Sequence, residues 1–113
     1  MSADLEALSR EIAATSDAWM VPGVDVISAT GQLRLDNSDF VDGRLFSWVA
    51  PHGSFHPNLT DAVTVNSLLG AGSVWQSLIC NEFTARIADA ATFSPDRTEA
   101  IARAWIAAHK GDQ

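Results

Sequence analysis

The residues best equipped for chemistry are two histidines and three aspartates. His52 and His56 stand four apart, a spacing that would put two metal ligands on one face of a helix. Pro51, Gly53 and Pro57 surround them, so the segment reads as a breaker-rich loop. No cysteine or carboxylate at ligand spacing completes a metal set. The expectation is a pair of solvated loop histidines, and the chemistry left to them is acid–base work by imidazole. Asp36, Asp39 and Asp42 precede Gly43 and suggest a calcium loop. Such a loop needs oxygen ligands at alternate positions and a later glutamate, and Phe40 stands where a ligand is required. The three aspartates therefore read either as an acidic hairpin tip or as a patch that meets Arg or Lys on a partner.

Other reactive patterns fail on their spacing. There is no Gly-x-Ser-x-Gly elbow and no phosphate loop, and Gly70-Ala-Gly72 lacks the third glycine of a dinucleotide loop. The carboxylates are scattered. The single cysteine, Cys80, excludes an internal disulfide and ends the apolar run from Val74, so a buried thiol is expected. No catalytic residue, metal ligand or cofactor is assigned, and a non-enzymatic protein is the expectation.

The chain has 113 residues, 47% of them apolar, enough for one domain over 1–113 with a real core. Fourteen acidic residues against seven basic ones give a formal charge of −7. Nucleic acid and anionic membrane surfaces demand the opposite sign. A protein with a basic surface is the better partner, and acidic charge would steer that encounter. No apolar stretch approaches membrane-spanning length, and Asp4 and Glu6 argue against a signal or transit peptide, so a cytoplasmic protein is expected.

These features must be held by a modest set of elements. Ser2 caps a first helix, with Leu5, Leu8 and Ile12 at helical spacing, fading near Thr15 to Asp17. Val24, Val26 and Ile27 are strand formers. Gln32 to Asp36 alternates, with Leu33 and Leu35 on one face, and pairs as a hairpin with Arg44 to Ala50. A second helix spans Leu59 to Leu69, capped by Asn58 or Thr60, with Ala62, Val65, Leu68 and Leu69 inward. Gly70 to Gly72 ends it. Val74 to Cys80 and Phe83 to Ala88 read as two strands turning at Asn81 and Glu82.

A last helix follows, capped by Ser94 with Pro95 in its first turn and ending at Gly111. Its inner face is Ile101, Ala104, Trp105 and Ala108. Ile106 falls between Arg103 and Lys110 on the polar side, where it marks a contact with another chain. The order is α-ββ(β)-α-ββ-α: an α+β fold with an antiparallel or mixed sheet of about four to five strands and three helices. Trp19, Trp48, Trp75 and Trp105 fall one to each quarter of the chain and read as core anchors. The functional alternative makes Trp19 or Trp48 a surface anchor for a partner.

Three segments carry a resemblance: Asn58-Leu-Thr-Asp-Ala-Val-Thr-Val65, Gly72-Ser-Val-Trp75, and Ser94 through Lys110. Together they resemble the phage ABA sandwich domain, a family of small α/β proteins without assigned chemistry. The family has a Ser-Leu-Asp-Ala-Ala-type helix before a glycine and tryptophan, and an alanine-rich closing helix. This chain has Asp61-Ala-Val63 in the first of these places. The resemblance covers roughly residues 56 to 110. It implies a layered sheet-and-helix fold and a phage or prophage origin, and it carries over no catalytic residue.

The expected function is protein binding by a phage or mobile-element protein, an inhibitor of a bacterial defence system of the anti-CRISPR kind. Its acidic surface, led by Asp36, Asp39 and Asp42, would occupy a basic nucleic-acid channel. Trp19, Trp48 and Ile106 are the apolar contact candidates. The alternative is a self-associating phage structural or accessory protein, a homodimer for instance. A small enzyme using His52 or His56 ranks below both.

Overall fold

Ser2 starts the first helix as a capping serine should, its hydroxyl accepting the Leu5 N–H at 3.2 Å. Helix α1 runs over Ala3–Thr15 and buries Ser9 and Ile12. The structure, a computed structural model, describes residues 1–29, 31–42, 44, 45 and 55–110. Trp48, His52 and most of the expected Arg44 to Ala50 strand lie outside the described residues, as does Gly111.

Two three-stranded antiparallel sheets follow. The first joins β1 (Asp25–Ser28), β2 (Gly31–Arg34) and β5 (His56–Pro57) in the order β2-β1-β5. The second joins β6 (Ser73–Gln76), β7 (Phe83–Ile87) and β8 (Ala90–Ser94) in sequence order. A short ladder pairs β3 (Phe40–Val41) with β4 (Arg44–Leu45). The fold is thus α+β, as expected, and of the antiparallel or mixed sheet expected the antiparallel form is found; two three-stranded sheets stand where one of about four to five strands was expected, and three further details differ. β2 pairs with β1, Ser28 standing opposite Gly31, rather than with the later strand. β6 stops at Gln76, four residues before Cys80. β8 was not anticipated, because Ala90 and Ala91 are poor strand signals and the turn before it is made by Ala88, whose φ is +52°.

Helix α3 (Arg97–Lys110) is the central element. It packs on β7 and β8 on one side and on α1 and α2 on others. Asp96, rather than Ser94, caps it by accepting the Glu99 N–H at 3.1 Å. Sandwiched in this way it buries Ala100, Ile101, Ala102, Ala104, Trp105 and Ile106, far more of its circumference than a single apolar stripe. Trp105 also stacks on His109, with ring centroids 3.8 Å apart. On the far side of α1, the Ser9 hydroxyl donates to the Pro57 carbonyl and ties the helix to β5.

Helix α2 (Ala62–Leu69) starts three residues later than Leu59, because Asp61 is its cap. Asn58 and Thr60 instead close a turn with each other, the Thr60 N–H donating to Asn58 Oδ1 at 3.1 Å. The Asp61 carboxylate accepts from the Thr64 N–H and from its hydroxyl, and takes both arms of the Arg34 guanidinium at 2.8 and 3.2 Å. Thr64 Oγ1 in turn accepts the Asp25 N–H at 2.8 Å, and Asn58 Nδ2 donates to Asp25 at 2.8 Å. This chain of bonds anchors α2 to the first sheet.

The Arg34 hydrogen bonds lead in holding the Asp61 carboxyl down to about 2, from an ordinary 3.8. A depressed carboxyl stabilises the fold at neutral pH, and the contribution is lost as pH falls from about 4 through about 2. Solvent screens the pair, so Asp61→Asn should cost ~1 kcal/mol at pH 7, cap included. Urea unfolding of both proteins across this range checks it: the two stabilities should converge as pH approaches 2.

Candidate protein-binding face

Among the described residues, one face of the second sheet is covered. Strand alternation puts Val74, Ala85 and Thr92 in one cross-strand row facing α3. Ala85 is fully buried, and the Thr92 hydroxyl donates to the Ala100 carbonyl of the helix. The next row, Trp75–Thr84–Phe93, therefore points the other way. No other described element packs closely there. Trp75 is 49% exposed and Phe93 63%, while Thr84 between them is buried.

The β6–β7 turn extends this apolar surface. Ser77 pairs with Glu82, its N–H donating to the Glu82 carbonyl at 2.8 Å, and Leu78 to Asn81 form the tip. The Ser77 hydroxyl accepts from the Ile79 and Cys80 N–H groups, and Gln76 donates to the Asn81 side chain at 2.8 Å. Asn81 has φ +56°, a conformation asparagine tolerates. The turn thus satisfies its own polar groups and projects Leu78 and Ile79 fully into solvent. Cys80 is exposed beside them, contrary to the buried thiol expected from the apolar run.

Along β7 the same face alternates Glu82, Thr84 and Arg86, with Arg86 exposed. Trp, Phe and Arg are the side chains enriched at the centres of protein interfaces. Exposed apolar groups this concentrated exceed the usual scatter of single residues.

The residues singled out from the sequence are placed differently. Trp19 is a core residue at 3% exposure, packed with the α1 and α3 core, and is no surface anchor. Its indole N–H has no hydrogen-bond partner among the described residues. Ile106 is 6% exposed, because α1 lies across the side of α3 that a helical wheel marks as polar. Leu8 and Glu11 meet it there, and Lys110 pairs with Glu11 across the seam at 2.8 Å. Neither residue is available to a partner.

Asp36, Asp39 and Asp42 stay close together at the surface, on and beside a 3-10 turn over Asn37–Asp39. Asp36 and Asp39 form a reciprocal capping box, so much of their hydrogen-bonding capacity is spent locally. Hydrogen bonds from the Ser38 side chain and backbone hold the Asp36 carboxyl below its ordinary range. Asp42, at φ +52°, turns the chain toward β4. The acidic tip exists, and it is also a structural turn.

His56 is buried on β5, at the edge of a cleft of about 590 Å³ between α1 and the first sheet. Burial, with the Arg10 charge secondary, lowers its pKa and favours the neutral ring. Arg10 and Glu6, which also line the cleft, pair with each other at 3.0 Å. Among the described residues no carboxylate hydrogen-bonds to the ring to orient it, and no cluster of three His, Cys, Asp or Glu is arranged to hold a metal. No described helix is long and apolar enough to cross a membrane.

Trp75, Phe93, Leu78 and Ile79 were all visible as residue types. Trp75 does alternate out of phase with Val74, which packs inward. The missing piece was β8, without which Phe93 has no place beside Trp75. By architecture the protein is a small α+β fold, with one face of the second sheet open among the described residues. No family model, curated protein or solved structure matches the chain.

Proposed function

We propose that this chain is a non-enzymatic protein that acts by holding another protein, with the outer face of β6–β8 and the Leu78–Ile79 tip as its contact. One observation carries the reading: Trp75, Phe93, Leu78 and Ile79 are exposed together on one rigidly built sheet and turn. A self-satisfied turn with two adjacent fully exposed aliphatic side chains offsets no folding requirement of the monomer. Burying such groups against a partner is worth ~1.5–3 kcal/mol each.

The charge of −7 supports a second contact, with a basic protein through the acidic tip at Asp36, Asp39 and Asp42. In that form the protein is an inhibitor of a nucleic-acid-handling defence complex in the bacterial cytoplasm, a reading supported by its acidity and small size and by the phage origin that the resemblance implies.

Affinity capture from a bacterial host tests both contacts. The tagged chain should retain a bound protein, an untagged copy of itself included. Leu78→Asp with Ile79→Asp should release it while the circular dichroism spectrum stays unchanged. Asp36→Lys with Asp42→Lys should release only a salt-sensitive basic partner. An identical set of bound proteins before and after the Leu78 and Ile79 substitutions would remove the proposal.

A further inference from the structure

The occupant of the open sheet face can be named, given the reading of that face as a contact surface. Thr84 stands at the centre of a cross. In one direction the row Trp75–Thr84–Phe93 is aromatic at both ends. In the other, alternation along β7 places Glu82 on one side of Thr84 and Arg86 on the other, the Ser77–Glu82 pair continuing the ladder one step past Gln76 and Phe83. Arg10, Arg34, Arg103 and Lys110 all pair with carboxylates within the chain. Neither Glu82 nor Arg86 has an ion-pair partner among the described residues.

We propose that a second copy of this chain stacks face to face on this sheet, about a two-fold axis lying along the Trp75–Thr84–Phe93 row. Rotation about that axis reverses β7. It sets Glu82 of each copy over Arg86 of the other, twice in one interface, and keeps the aromatic row on itself. An axis along β7 would instead set Glu82 over Glu82 and Arg86 over Arg86, like charges in a partly desolvated contact. The pattern is therefore self-complementary in one orientation, as an isologous interface requires.

Charge and area both favour this occupant. Two chains of −7 repel except where the local charge is balanced, and this face carries one acid and one base. The two rings and the two aliphatic tip residues offer on the order of 600 Å² of apolar surface, against the ~800 Å² per partner of an ordinary stable interface. The row Ser73–Arg86–Ala91, exposed on the same face, adds to the rim. Aligned sheets stack ~10 Å apart, which the two rings fill.

Sedimentation equilibrium of the full chain at raised concentration tests the proposal. Wild type should be a dimer. Glu82→Arg alone or Arg86→Glu alone should weaken it about 10-fold or more, because each turns two attractions into two repulsions. The combined E82R/R86E chain should recover wild-type affinity. Leu78→Asp with Ile79→Asp should weaken the dimer ~100-fold. Mixing the two single charge variants should restore a mixed dimer, which also shows that each is folded.

A monomeric wild type overturns the proposal, as does a double charge variant no tighter than either single one. If wild type is monomeric and the Leu78 and Ile79 substitutions still release a captured protein, the second copy is wrong and the contact face stands. If it is monomeric and capture is unchanged, both readings fall.

Discussion

Ile106→Asp should leave essentially no folded protein in dilute solution at 25 °C. Ile106 lies in the seam between α1 and α3, against Leu8 and Glu11. Truncating a buried isoleucine alone costs ~2–5 kcal/mol. A carboxylate placed there adds a desolvation cost of several kcal/mol more and sits beside Glu11 with the same charge. The sum approaches the whole stability of a domain this size, roughly 5–15 kcal/mol. Far-ultraviolet circular dichroism and urea unfolding measure it directly. Leu78→Asp is the control, because a fully exposed position should change monomer stability by no more than ~0.5 kcal/mol. Were Ile106 the exposed contact that its neighbours Arg103 and Lys110 suggest, the two variants would behave alike.

Gly72→Ala comes next in size, for a reason unrelated to polarity. Gly72 joins α2 to β6 where the chain passes tightly over β7. A Cβ there would stand 2.4 Å from the Arg86 carbonyl oxygen and 2.9 Å from that of Leu69. Both obstacles are backbone, so relief requires moving the start of β6 or the end of α2. The expected cost is ~2–4 kcal/mol, the range of an overpacked site that cannot relax by a side-chain rotation. Gly70, one residue past the helix at φ +55°, should cost less when changed to Ala, ~1 kcal/mol, because its Cβ meets nothing closer than 3.7 Å. Thermal unfolding of the two variants should rank them in that order. The reverse ranking would mean that the crossing over β7 is looser than described.

Both results turn on crossings between elements, where the sequence was hardest to read. Helix periods and caps were legible: Ser2 before α1, the inner stripe of Ile101, Ala104 and Trp105, and the helix-ending glycine at position 70. These depend on neighbours within four residues, and local backbone hydrogen bonding suffices to specify them. Cap positions were harder to place where several capping residues stand in a row. Asp61 prevailed over Asn58 and Thr60 because it alone can also receive Arg34. That choice is settled by a strand 27 residues away.

The candidate face was less legible than the elements that build it. Asp36 and Asp42 were expected at the surface and lie there; Ile106 was expected to meet another chain and lies in the core, as does Trp19, read first as a core anchor and in the alternative as a partner contact. Residue type alone cannot tell a core tryptophan from a contact tryptophan, since both are large and apolar. The distinction comes from what covers each ring. Trp105 is covered in the core around α3, and Trp75 is left open because no element among the described residues covers the outer face of β6–β8.

Composition and short-range pattern thus determined by themselves that this is an acidic α+β chain with three helices, and left open whether its strands were antiparallel or mixed. Charge ratio, apolar fraction and helical spacing are properties of the chain before it folds. Only the tertiary structure decided which apolar residues meet solvent. A helix has more than one side to cover, and α3, pressed between a sheet and two helices, needed Ile106 where a lone helix would have been polar. A sheet has two faces, and among the described residues the helices lie on one side of β6–β8, leaving Trp75, Phe93, Leu78 and Ile79 exposed.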